Sequence, residues 1–190
     1  VLFRSTSCKV LSVMVAVDDA WKNRRDELQQ NVEALIESIG RTASIAPADD
    51  IDVPVLITDT LNSITQSFDN QWGGFGNAPK FPSTFAIDLL LREYQLTQNS
   101  MLLQMAETSL DAMAAGGMYD HLAGGFSRYS VDQQWLVPHF EKMLYDQALL
   151  TRVYLHAWQL TGESRHLQVV REIVEYVLRD LRDDLGVFYS

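Results

Sequence analysis

Apolar side chains recur at helical spacing through most of the chain. In the stretch 84–96, Phe85, Leu89 and Arg92 share one face beside Ile87, Leu90 and Leu91. The stretch 164–181 repeats Val169, Val170, Ile173, Val177 and Leu181 at the same period. Comparable patterns cover 56–68, 100–115 and 140–160. Asp18 is placed to cap an earlier helix through Trp21, Leu28, Val32, Leu35, Ile36 and Ile39, with Gly40 as its stop signal. Strand signals are scarce, and only 126–135 reads as a small β-hairpin. The pattern therefore predicts an all-α chain with one small β-hairpin in a long loop.

The polar stretches between these helices carry the chemistry. Residues 41–52 are rich in Ala, Ser, Pro and Asp without a sustained period, which marks a linker. A related ending follows alternate helices: Asp69-Asn70-Gln71-Trp72-Gly73-Gly74-Phe75, then Gly124-Gly125-Phe126, then Asp184-Leu185-Gly186-Val187-Phe188. The gaps are roughly one helix pair long, as stacked α-hairpins would give, so the glycine and aromatic loops would converge at one end.

The longest of these connections, 116–143, is the first candidate site, because long loops inside compact folds are commonly binding or catalytic loops. Tyr119, Phe126, Tyr129 and Trp135 offer flat apolar faces. Asp120, His121, Arg128, Asp132, His139 and Glu141 offer proton and hydrogen-bond chemistry. The same residues would equally serve to fold the loop onto its own helices. In the loop 72–82, Trp72 and Phe75 are further aromatic candidates. Lys80 reads either as a solvated lysine or as a contact to a substrate hydroxyl.

Pro138 suits the first turn of a helix beginning near His139, with Glu141 four residues before Tyr145 and Lys142 four before Asp146. Asp120, Asp132 and Glu141 are of the right type to supply an acid and a base at a glycosidic or hemiacetal centre, although each is equally suited to capping a turn. His139 and Glu141, two apart on a helix, would not share a face, so no metal site is expected. His156 and His166 fall on helices outside the loops and read as ordinary structural histidines. The methionines at 101, 105 and 113 read as core filler.

The formal charge of −10 argues against nucleic acid and anionic membrane surfaces, which reward clustered Lys and Arg. Cys8 is the lone cysteine, which excludes an intrachain disulfide and a Cys-x-x-Cys redox pair. No cofactor is implied. The early apolar run 10–17 is too short to span a bilayer, so a soluble, cytoplasmic protein is expected. Val1-Leu2-Phe3-Arg4-Ser5 reads as a translated sequencing adapter, and the chain stops in a turn-like segment, as a piece of a longer protein would.

The stretches 72–82 and 135–147, together with 117–129, closely resemble signature segments of the thioredoxin-domain-containing proteins related to spermatogenesis-associated protein 20, over about Asp18 to Ser190. That resemblance implies a thioredoxin-like domain followed by a six-hairpin glycosidase-like α/α toroid. Residues 1–17 would then be a doubtful start, and 18–52 a helix and linker after a missing thioredoxin-like domain. Residues 53–190 would be the first hairpins of a partial toroid.

Two functions follow from the resemblance and the loops. The toroid binds or transforms a carbohydrate by glycosidase- or epimerase-like chemistry. In that case Glu141, Asp120, Asp132 and His139 are the catalytic candidates, and Trp72, Phe75, Lys80, Tyr119, Arg128, Tyr129 and Trp135 the substrate-binding ones. Alternatively it is a non-catalytic protein-interaction platform serving the thioredoxin-like domain of the same chain.

Overall fold

The computed structural model describes residues 3–43 and 50–189. The expectations that fall on Val1 and Leu2, on the centre of the 41–52 linker and on Ser190 lie outside the described residues. The chain divides into two compact units, 1–51 and 52–190.

The first unit holds α1 (Phe3–Asn23) and α2 (Arg25–Ala43). Asp18 does not start a helix. It lies inside α1 and pairs with Lys22 one turn on, at 2.8 Å. The helical ladder also continues through Arg24, whose amide donates to the Ala20 carbonyl while its own carbonyl accepts from Leu28. Gly40 is likewise interior to α2.

The second unit is built from α3 (Val53–Ser67), α4 (Thr84–Thr97), α5 (Ser100–Ala115), α6 (Leu144–Thr161) and α7 (Ser164–Asp180). Asp52 caps α3 by accepting from the Val55 amide, and Pro54 occupies its first turn. Short links, with Gln98 and Gly162 in the left-handed region, fold α4 onto α5 and α6 onto α7 as antiparallel hairpins. α4 and α6 also pack directly on one another, forming one layer with α5 and α7 returning behind it. Ile87, Leu90, Leu110, Met113, Leu150, Tyr154 and Ile173 are fully buried between these helices.

The sheet is minimal. β1 (Tyr129–Ser130) pairs antiparallel with β2 (Pro138–His139), in the register Tyr129 to His139 and Ser130 to Pro138. This revises the sequence expectation twice. The hairpin closes around 131–137 instead of lying within 126–135, and α6 begins at Leu144, well after Pro138. The reason lies in the backbone accounting. The Glu141 carbonyl accepts from Arg128 N, and the Val137 carbonyl from Val131 N, so the segment 137–141 is committed to the hairpin before the helix starts.

Two buried polar side chains attach the long loops to the helices. Gln147, fully buried on α6, accepts from the Phe126 amide at 2.8 Å and donates to its carbonyl at 2.7 Å. Ser109, fully buried on α5, accepts from the Gly74 amide at 3.0 Å. In the core, the Tyr154 hydroxyl donates to the Leu110 carbonyl at 2.6 Å and its ring stacks on Phe126. Tyr154→Phe removes a second bond to a carbonyl that still serves the α5 ladder, and an expected loss of about 0.5–1.5 kcal/mol follows. A urea unfolding curve with an unchanged slope and a lower midpoint is the measurement that checks it.

Candidate active site

Two loops, 68–83 and 116–143, lie at the N-terminal ends of α4 and α6. They are joined by reciprocal backbone hydrogen bonds between Lys80 and Ser130, both 2.8 Å. Their cores are the same device made twice. Asp69 Oδ1 accepts from the amides of Gln71 and Trp72, while its backbone bonds Gly73 and Gly74. Asp120 Oδ1 accepts from Leu122 and Ala123, while its backbone bonds Gly124 and Gly125 in the same pattern.

Each turn is then locked by a lysine. Lys80 Nζ donates to Asp69 Oδ2 at 2.6 Å and to the Gly73 carbonyl at 2.7 Å. Lys142 Nζ donates to Asp120 Oδ2 at 2.8 Å and to the Gly124 carbonyl at 2.9 Å. Each second glycine rests on an aromatic ring, so a Cβ at Gly74 would meet Trp135 at 2.4 Å, and one at Gly125 would meet Tyr176 at 2.6 Å. Both glycines also hold φ near +78°, at 77° and 78°. The third sequence match is a shorter relative of the device. There Asp183 Oδ1 accepts from Leu185 and Val187, and Arg182 pairs with Phe188.

This arrangement settles the environment of several sequence-nominated residues. Lys80 is fully buried, which corrects the solvated reading. Asp69 is held far below the ordinary carboxylate range. Burial alone would raise it, but Lys80, Gln133 and the amides of Trp72 and Gln71 outweigh that. Asp120 is lowered to about 2, chiefly by Lys142 and the Ala123 amide. Asp132 closes the hairpin turn by accepting from Gln134, Leu136 and Val137, and those amides lower it against the opposing effect of burial.

Several aromatic candidates are structural in their contacts. Trp135 is 1% exposed with φ 65°, and its indole donates to the Trp72 carbonyl at 3.0 Å. Tyr119 is buried, packed on Phe126 and hydrogen-bonded to Glu172. Phe75 packs on Phe68. Trp72 is partly exposed beside a groove shared with Thr108, Gln134 and Leu136.

What faces solvent is a different set. Phe81, Tyr129 and His139 form a continuous stack, with centroids 4.7 Å apart at each step and interplanar angles of 31° and 18°. Arg128 Nη1 lies 3.0 Å from Glu141 Oε2, which is also 4.0 Å from His139 Nδ1. Because His139 begins an extended segment, residues two apart share a face here, unlike the helix expected from the sequence. Glu141 thus pairs with Arg128 instead of Tyr145, and Lys142 with Asp120 instead of Asp146. A separate cleft of about 500 Å³, to which none of the three rings contributes, is lined by His121, Leu122, Ser127, Pro138, Phe140 and Lys142. Among the described residues, no three His, Cys, Asp or Glu side chains gather as metal ligands, and no helix is long and apolar enough to cross a membrane.

Asp146, in the first turn of α6, is the residue the sequence placed in the wrong role. Its Oδ2 is buried without a hydrogen-bond partner, and burial pushes the carboxyl up to about 6, with Glu141 repulsion adding to this and Arg128 opposing it. The sequence signal was present only as a carboxylate on a helix face; its isolation from donors is a product of packing.

By architecture the second unit defines a class, that of α/α toroids. It matches the cellobiose 2-epimerase of Bacillus thermoamylovorans with a TM-score of 0.60 and 14% identity, over 72% of this chain and 40% of that one. Dfg5 from Chaetomium thermophilum, solved in complex with glucosamine, matches with a TM-score of 0.59 and 20% identity, over 77% and 39%. By sequence the chain is similar to spermatogenesis-associated protein 20 of Mus musculus, with 38% identity over 188 residues, 94% of this chain. It spans 24% of that relative's length. No family model matches.

A carboxyl whose folded pKa is raised favours its protonated form. Asp146 therefore costs the fold nothing at low pH and destabilises it progressively as pH rises from the unfolded value near 4 through about 6. Asp146→Asn is expected to raise the melting temperature at about pH 7.5 and to leave it nearly unchanged at about pH 3.5. Paired thermal melts at the two pH values check the sign.

Proposed function

We propose that the complete protein binds and transforms a carbohydrate at the mouth formed by these two loops. The observation that carries this reading is the exposed Phe81–Tyr129–His139 stack beside the Arg128–Glu141 pair. Flat rings at a rim are suited to the apolar faces of sugars, while charged fork and carboxylate groups fix hydroxyls. The names of the structural neighbours, a cellobiose 2-epimerase and a glucosamine complex, support the same ligand class.

In this reading Glu141 and His139 are the groups that touch the reacting centre, and Arg128 orients them. Asp146, raised to about 6, is protonated over part of the physiological range and is the candidate general acid, a division of labour between two carboxyls set by their surroundings. Asp120 and Asp132 act as positioning residues, since their oxygens are occupied by lysine and backbone donors. Trp135, Lys80 and Tyr119 hold the rim, and Trp72 and Phe75 border it.

A second reading rests on the apolar rim. Leu122 is 100% and Phe140 85% exposed, which suits a protein surface docked by a neighbouring domain or partner. Substrate and partner both lie with the complete protein.

The discriminating test is a thermal-shift and turnover screen of the complete protein against mono- and oligosaccharides, beside Phe81→Ala and Glu141→Gln. A stabilising sugar whose effect is lost in Phe81→Ala, with turnover reduced at least about a hundredfold in Glu141→Gln, is the expected result. A folded protein that no sugar stabilises, but whose Phe140→Ala and Leu122→Ala variants lose a protein partner, would transfer the assignment to the interaction platform.

A further inference from the structure

A second polar cluster lies on α4 and α6, away from the loops. Asp88 is largely buried, with a side chain 11% exposed, and it is met from two helices by three cationic or potentially cationic groups. Arg92 Nε lies 2.9 Å from Oδ2 and His156 Nδ1 lies 2.8 Å from Oδ1, while Arg152 reaches Oδ2 from α6. The carboxyl is lowered. Burial opposes this, but Arg92, His156 and Arg152 outweigh it.

One buried carboxylate needs one guanidinium to balance it, and Arg152 supplies that from the neighbouring helix. Arg92 is then in excess: two arginines against one aspartate leave a formal surplus of one positive charge. Neither guanidinium meets a second carboxylate among the described residues. Arg92 engages Asp88 through Nε, and among the described residues its Nη groups make no hydrogen bond. Arg92 lines a cleft of about 240 Å³ whose other polar walls are Gln95, His156 and Gln159, closed by Leu91 and Leu160.

A planar fork tethered at Nε to a buried carboxylate, lining a polar cleft of that size, matches the geometry of a two-oxygen anion. The net charge of −10 makes a local positive surplus harder to explain as general surface composition.

We infer that the α4–α6 face carries an oxyanion-binding site in which Arg92 is the principal contact, with Gln95, Gln159 and His156 beside it. Arg152 and Asp88 are positioning residues that fix the Arg92 fork. The ligand class is a carboxylate or phosphate carried on a small hydroxylated molecule. The inference is independent of the rim reading, because it uses none of the rim residues.

The test is isothermal titration of the complete protein with inorganic phosphate, with glucuronate and with neutral glucose, at fixed ionic strength in chloride. Binding of phosphate or glucuronate but not glucose is expected, and phosphate alone or glucuronate alone identifies which oxyanion is preferred. Arg92→Gln, at a half-exposed position that the fold tolerates, is expected to weaken binding about tenfold or more. Gln159→Leu, exposed on α6, should weaken it by a smaller factor, while Phe81→Ala should leave it unchanged. Absence of binding by either anion to folded protein, equal binding of glucose, or binding unaltered in Arg92→Gln would overturn the site. Loss of oxyanion binding in Phe81→Ala would instead merge it with the rim.

Discussion

The buried ion pair between Lys80 and Asp69 is the contact on which the geometry of both loops depends. A fully buried ammonium is tolerated only where its charge and all its donors are used, because desolvation otherwise costs several kcal/mol. Lys80 meets that condition through Asp69, the Gly73 carbonyl and the face of Trp135, 5.5 Å from its ring centroid. Its backbone simultaneously pairs with Ser130 in the other loop. Removing its side chain would leave the Asp69 carboxylate without its cation in a buried setting. One residue, through its side chain and its backbone together, therefore couples the first Gly-Gly turn to the strand that carries Tyr129.

The second copy of the device shows why the loops come to the same end. Lys142, Asp120, Gly124, Gly125 and Tyr176 reproduce Lys80, Asp69, Gly73, Gly74 and Trp135, down to a lysine over an aromatic ring, here at 4.2 Å. In both copies a residue from a later part of the chain supplies the plate beneath the glycines: Trp135 for the first loop and Tyr176, on α7, for the second. The first loop is thus completed by the loop that follows the α4–α5 hairpin, and the second by α7 of the hairpin that follows it. That dependence is a physical route to stacking α-hairpins around an axis in a fixed rotational order, since a hairpin set in another place would leave a Gly-Gly turn without its plate.

The all-α class, α3 to α5 and α7, and the recurrence of the loops were legible in the sequence because periodicity and glycine spacing report them directly. The start of α6 was not. Pro138 carries the same residue-level signal at a helix start and on a short β-ladder, and only pairing with Ser130 decides between them. The same ambiguity moved Glu141 and Lys142 from an imagined helix turn to partners 13 and 22 residues away in sequence. In α1, Asp18 has the chemistry of a cap, yet the ladder through Arg24 shows that helix propensity on both sides overrode it. Lys80 looked solvated because lysine is seldom buried, and nothing local announces that Asp69 lies 11 residues upstream to receive it.

This division changes what the resembling stretches mean. The residues that make 72–82 and 117–129 recognisable are mostly those of the clamp: glycines under rings, a capped aspartate and aromatics packed inward. Their spacing encodes loop shape, and an acid held at about 2 by an ammonium and backbone amides has little capacity to exchange a proton near neutrality. Chemistry, if it occurs at this rim, falls to groups that the clamp presents without consuming. Glu141 and His139 are exposed on the hairpin, and Asp146 is a carboxyl that burial raises to about 6, with one oxygen buried and unpartnered. A frame that fixes its own carboxylates this firmly leaves few polar side chains outside its own bonding. The constraint that holds the loops in place is thus also the one that narrows the search for function to a handful of side chains.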